Sequence, residues 1–109
     1  MATKKTTVKK SATPAKLRPV LITTANRGVF FGYLGPEYKE GDTNAKLTDA
    51  RNCIYWSRQC GGFMGLAANG PVGDSRVGAT ASGEVRNITS VFDVSEAAEK
   101  VWKEKSVWV

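Results

Sequence analysis

Cys53 and Cys60 are the only two thiols of this 109-residue chain, and six residues separate them in the stretch RNCIYWSRQCGG that begins at Arg51. A metal knuckle places its thiols about two to four residues apart, within a tetrahedral ligand set that two thiols alone do not complete. Histidine is absent from the sequence. That removes the commonest metal ligand, the commonest general base and the usual partner of a Ser or Cys nucleophile. The cysteines are therefore expected to be reduced and buried, acting as small hydrophobes. Neither a metal nor a cofactor is expected.

Carboxylates offer no better case for catalysis. Asp49 and Glu84 each lie beside an expected strand, while the other acids fall in loops or helix-surface pairs. Both read as solvated or salt-bridged groups. The loop Gly73-Asp74-Ser75-Arg76-Val77-Gly78-Ala79-Thr80 spells G-x-x-x-x-G-x-T. A phosphate-binding loop needs lysine where Ala79 stands, a strand before it and a helix after it. None is expected here, so Pro71 to Gly83 as a whole reads as a mobile Gly-rich loop in which Arg76 is a weak anion contact. No catalytic residue is assigned, and the chain is expected to be no enzyme.

Aromatic and arginine residues point instead to binding. Tyr55, Trp56 and Arg58, with Arg51 and the neighbouring Phe31 and Tyr33, have the composition of a stacking platform. Strand alternation, however, puts Arg51, Cys53, Tyr55 and Ser57 on one side and Ile54, Trp56 and Arg58 on the other. Tyr55 and Trp56 then face opposite ways, so core plus interface is the stronger reading. Phe31, Tyr33, Trp56 and Trp108 are the expected interface residues. Arg51, Arg58, Arg76 and Arg86 are the expected nucleic-acid or anion contacts, together with Lys4, Lys5, Lys9 and Lys10 of the N-terminus.

The elements that must position these groups follow from patterning. Val20 to Thr24 is β-branched, Ala25 to Gly28 supplies a turn, and Val29 to Leu34 completes a hairpin with large residues on both faces. The segment from Ala45 through the cysteine stretch reads as the third and longest strand. Gly61 to Pro71 predicts one or two helical turns, with Phe63, Leu66 and Ala67 on one face and Asn69-Gly70-Pro71 as the stop. Glu84 to Phe92 alternates as a strand. A helix follows, capped by Asp93 or Ser95, with Val94, Ala97, Ala98, Val101 and Trp102 as its apolar stripe. The predicted fold is α+β: a small antiparallel sheet (a mixed one being the alternative), a short helix and a C-terminal amphipathic helix.

The net charge of +6 belongs to one end. Lys4, Lys5, Lys9, Lys10, Lys16 and Arg18 supply the whole excess, and the remainder of the chain is formally neutral. Residues 1–17 are accordingly expected to be a disordered Lys-rich arm, and 18–109 a single small domain. Such an arm suits phosphates or an acidic partner. No run of apolar residues long enough for a transmembrane helix is present. The lysines lack an apolar stretch behind them, so no secretory signal and no membrane association is expected.

The motif D-A-R-x-x-x-Y-W-S, carried by Asp49-Ala50-Arg51 and Tyr55-Trp56-Ser57, is followed by Leu66-Ala67-Ala68-Asn69-Gly70 and by a strand and helix ending near Trp108. With Gly28 to Leu34 before it, this pattern resembles a family of small phage and prophage proteins classified as a domain of unknown function. The likeness covers roughly residues 19–109. Cys53 and Cys60-Gly61-Gly62 and the Gly-rich loop depart from it. The resemblance implies a phage origin and supplies no catalytic residues. The expected function is a non-enzymatic phage accessory protein that binds a host or phage protein as a homo-oligomer in the host cytoplasm. The alternatives are a nucleic-acid binder using the arm and the strand arginines, a binder of a small anionic nucleotide-like ligand, and a small virion component.

Overall fold

Strand β1 (Arg18–Thr24) and strand β2 (Val29–Leu34) form the expected hairpin, with Arg18 opposite Leu34 and Thr23 opposite Val29. The computed structural model describes residues 17–108. The expected disordered arm and its Lys4, Lys5, Lys9 and Lys10 lie outside the described residues, apart from Leu17. After the loop comes β3 (Ala45–Tyr55), the longest strand, which pairs antiparallel with β2. The chain then turns through a short 3-10 helix (Arg58–Cys60) into α1 (Gly62–Ala68). Two short strands, β4 (Arg76–Val77) and β5 (Ala81–Val85), precede β6 (Ile88–Asp93) and the C-terminal helix α2 (Glu96–Glu104). The fold is α+β: one antiparallel sheet in the order β4-β3-β2-β1-β6, with β5 also paired to β3, and two helices. A single parallel bridge joins Val77 to Val107 at the β4 edge.

Alternation along β1 and β2 builds two cores. Leu21, Val29 and Phe31 point toward the helices, where they meet Leu66 of α1 and Ala98 and Trp102 of α2. Trp102 is fully buried, stacks on Phe31 with ring centroids 5.1 Å apart, and donates from Nε1 to the Leu66 carbonyl at 3.0 Å. Val20, Ile22 and Leu34 point the other way and pack with Leu47. β3 serves both cores by changing phase. Phe31 lies opposite Arg51 but Tyr33 lies opposite Thr48, so β3 carries one extra residue here, and Asp49 takes a left-handed φ of 51°. This bulge lets Leu47 face the second core while Arg51 and Cys53 face the first. Gly32 makes room for it, because a Cβ there would press on Leu47 and Ala50 at 3.1–3.2 Å.

The second core is closed by the sheet itself. β5 pairs with the first half of β3, and only Arg86 and Asn87 separate it from β6, which pairs with β1 on the opposite side. Ala25 donates its N–H to the Asn87 carbonyl and Ile88 donates to the Thr43 carbonyl. The sheet is thereby rolled over Val20, Ile22, Leu34 and Leu47, with Asn87 at φ 59° making the bend.

Several expectations need correction. The long strand ends at Tyr55 rather than running on to Cys60, because the chain turns there into the 3-10 helix. The segment from Pro71 to Gly83 is not one loop, since β4 and the start of β5 lie within it. Glu84 to Phe92 is two strands rather than one, broken at Arg86-Asn87. Of the two candidate caps Ser95 is used, accepting from the Ala98 N–H at 3.1 Å, while Asp93 pairs with Arg18 at 3.0 Å. Among the described residues, no helix is long and apolar enough to cross a membrane.

Candidate functional site

The β4 edge of the sheet gathers exposed aromatic and basic groups. Tyr55 ends β3 opposite Arg76 of β4. Beyond β4 the chain end returns, and Trp108 donates its N–H to the Val77 carbonyl at 3.0 Å. The Arg76 guanidinium consequently lies between two rings, 5.5 Å from the Tyr55 centroid and 5.1 Å from that of Trp108. Both rings stay open to solvent, with 45% of Tyr55 and 50% of Trp108 exposed. Ile54 and Val107 are exposed beside them, so apolar surface and one cation share this edge. A cleft next to it is lined by Tyr55, Ser57, Arg58, Gln59, Gly73 and Asp74. The arrangement can engage π-systems and apolar side chains through Tyr55 and Trp108, and anions through Arg58 and Arg76.

Arg51 holds this edge in place from inside. It is 4% exposed, and its Nε donates to the Gly78 carbonyl at 2.8 Å. Its Nη1 donates to the carbonyls of Trp102 and Lys105 at 2.7 and 2.6 Å. Those carbonyls end α2, where the helix dipole is negative and lacks intrahelical donors. The same cation therefore ties β3, the loop before β5 and the start of the tail that carries Trp108. Burial lowers its pKa below the ordinary arginine value. The expectation that Arg51 contacts nucleic acid or an anion is corrected: the side chain is buried and its Nε and Nη1 donors serve internal carbonyls.

The expected interface residues Phe31 and Tyr33 are engaged inside the fold. Phe31 is buried under α2, and Tyr33 is half-buried with its hydroxyl donating to Glu99 Oε2 at 2.5 Å. Burial, then the Glu99 carboxylate and the more distant Asp49 charge, push the Tyr33 pKa up. Trp56 packs half-buried against the first core, on the other side from exposed Tyr55. Of the expected contacts, Arg58, Arg76 and Trp108 come together at the β4 edge. Arg86 stands apart on the bend after β5, where its Nη2 meets Glu84 at 3.2 Å.

Both cysteines are free and buried. Burial, reinforced by Cys60 nearby, raises the Cys53 thiol from 9.0 to about 11, against a lowering by the Tyr55 backbone N–H. Cys60 Sγ lies 3.1 Å from Ser75 Oγ, which donates to the Val72 carbonyl at 2.6 Å and accepts from the Ser57 N–H at 2.9 Å. This knot fastens the 3-10 helix to the loop before β4. Among the described residues, no group of three or more potential metal ligands is found.

A second concavity opens at the mouth of the rolled sheet, about 680 Å³ in volume, between β5 and the β1–β2 turn. Phe30, Leu47, Ala50 and Val85 give it apolar lining, and Asn26, Asn52 and Asn87 stand around it. Sequence reasoning missed these three amides, because they come from three separate elements and meet only through closure of the roll. Ile54 and Val107 were missed too, although an apolar residue alternating against Cys53 is a signal for exposure at position 54.

No curated protein matches the chain. Residues 17–102 match the model of a family described as a domain of unknown function, DUF6948, and the chain belongs to that family.

Proposed function

We propose that this protein is a non-enzymatic accessory protein of phage origin that acts by binding a protein partner, as a homo-oligomer, through the edge formed by Tyr55, Arg76 and Trp108. The observation that carries the reading is the Tyr55–Arg76–Trp108 stack, in which two half-exposed rings flank a cation beside exposed Ile54 and Val107. Aromatic and arginine side chains are the residues that dominate protein interfaces, whereas a lone exposed apolar residue means little. The phage origin rests on the motifs Asp49-Ala50-Arg51 and Tyr55-Trp56-Ser57 and their spacing. Sedimentation equilibrium over a wide concentration range tests the self-association. The wild-type chain is expected to associate, and the variants Tyr55→Ala and Trp108→Ala to shift toward monomer. A wild-type chain that stays monomeric at high concentration refutes the homo-oligomer.

A second reading, single-stranded nucleic-acid binding at the same edge, is favoured by Arg58 in the cleft beside Tyr55. It requires affinity that falls steeply with rising salt and drops when residues 1–16 are deleted. Full-length protein that binds no DNA or RNA at low salt ends it.

A further inference from the structure

We propose that the cleft at the mouth of the rolled sheet is a nucleotide site, taking a planar base over Phe30 and its phosphate at Arg86. This goes beyond the edge-mediated binding above and uses none of its residues. The cleft's volume of about 680 Å³ falls within the roughly 300–1,000 Å³ usual for small-ligand sites. Phe30, half-buried, supplies an aromatic face, and Leu47, Ala50 and Val85 complete an apolar lining. The first half of β5, Ala81, Ser82 and Gly83, is small, and a Cβ built on Gly83 would touch nothing within 4 Å, so this side leaves room for a bulky flat group.

The polar groups narrow the ligand class. Asn26 from the β1–β2 turn, Asn52 from β3 and Asn87 from the bend are exposed around one opening. Among the described residues, none of their carboxamides joins a side-chain hydrogen bond. A carboxamide offers a donor and an acceptor side by side, which matches the paired acceptor and donor on the edge of a base. Arg86 stands on the same rim and is tethered to Glu84 only through Nη2, leaving its other N–H groups for phosphate oxygens. Glu84 in turn opposes a longer, more highly charged phosphate chain. A nucleoside monophosphate satisfies all of these groups, and the same unit occurs within a single strand.

Titration of the full-length protein with adenosine, guanosine, cytidine and uridine monophosphates, read by thermal shift and calorimetry, tests the site. At least one is expected to raise Tm and bind with Kd below about 1 mM, and its triphosphate to bind more weakly. Asn52→Ala and Phe30→Leu are each expected to weaken binding about tenfold or more. Arg86→Ala reduces the monophosphate's affinity to that of the bare nucleoside, and Trp108→Ala leaves it unchanged. Asn52 and Arg86 are exposed, and circular dichroism verifies that the variants fold. If a short oligonucleotide binds with this same sensitivity and free monophosphates do not, the nucleotide comes from a strand. The proposal is overturned if neither binds at several millimolar. It is equally overturned if inorganic phosphate alone gives the same shift, or if binding survives Asn52→Ala, Phe30→Leu and Arg86→Ala.

Discussion

Replacing Arg51 with methionine keeps the buried stem and removes the guanidinium, which separates what its hydrogen bonds contribute from what its burial costs. Three N–H···O bonds of 2.6–2.8 Å are lost, to Gly78, Trp102 and Lys105. Bonds to a charged group contribute about 1.5–3 kcal/mol each, so the gross loss is roughly 5–9 kcal/mol. Against this, removing a charge that is 4% exposed relieves a desolvation penalty of several kcal/mol. The Lys105 carbonyl, at the open end of α2, also recovers part of its bond from water. The expected net loss is about 2–3 kcal/mol. Arg51→Lys keeps the charge without the planar fork and should lose about 1–2 kcal/mol. Urea unfolding followed by circular dichroism measures this as a lower midpoint at unchanged slope. Amide exchange adds a local readout, because the Trp108 N–H should lose protection earlier than the rest of the sheet once Lys105 is unpinned. A methionine variant as stable as the wild type, with Trp108 exchange unchanged, refutes the account of Arg51 as the clamp of the α2 end.

Gly65→Ala should be severe, because the new Cβ would lie 1.6 Å from the Cys60 carbonyl oxygen and force the 3-10 helix off α1. A loss of about 3 kcal/mol or more in chemical denaturation is expected, and under about 1 kcal/mol contradicts that packing. Ser95→Ala removes the cap of α2 and should cost about 1 kcal/mol, with no change in the pH dependence of stability. The Cys53 thiol, raised from 9.0 to about 11, is neutral in the fold while the unfolded chain ionises first. Its contribution is therefore full below pH 9 and lost as pH rises toward about 11, at most about 3 kcal/mol at about 1.4 kcal/mol per pH unit. Cys53→Ala should flatten that alkaline slope relative to the wild type, and parallel slopes for the two proteins would argue against it.

Local chemistry was legible in the sequence and long-range closure was not. The β1–β2 hairpin, the α1 turns with Leu66 and Ala67 inward, and the buried Val94, Ala98 and Trp102 of the α2 stripe follow from periodicity and caps, whereas Ala97 of that stripe is exposed. The alternation expected through Tyr55 and Trp56 did not hold, because a register shift between Cys53 and Tyr55 leaves Tyr55 exposed and brings Trp56, not Tyr55, to the core that holds Cys53. The phase that sets Arg51 beside Cys53 was readable, but the carbonyls that Arg51 serves lie 27, 51 and 54 residues on. Alternation of large residues on both faces of β2 was ambiguous between a central strand and a subunit contact. The second core decides it, and that core forms only when β6 joins β1. Glu99 illustrates the same limit. Its spacing to Lys103 predicts a helix-surface pair, yet its carboxylate accepts the Tyr33 hydroxyl from the sheet.

Closure of the roll also sets the order in which the protein can be made. β1 emerges first from a ribosome, yet its second neighbour, β6, is encoded about 70 residues later. The bonds that seal the roll join Ala25 to Asn87 and Ile88 to Thr43, so the β1–β2 hairpin must wait with Val20 and Ile22 uncovered. Non-local pairing of this kind places folding in the slow range of small domains, about milliseconds to seconds. At about 5–20 residues per second, translation leaves the hairpin incomplete for roughly 3–14 seconds. A nascent chain stalled before β6 should therefore expose the edge of β1 to other chains, and one released after α2 should not.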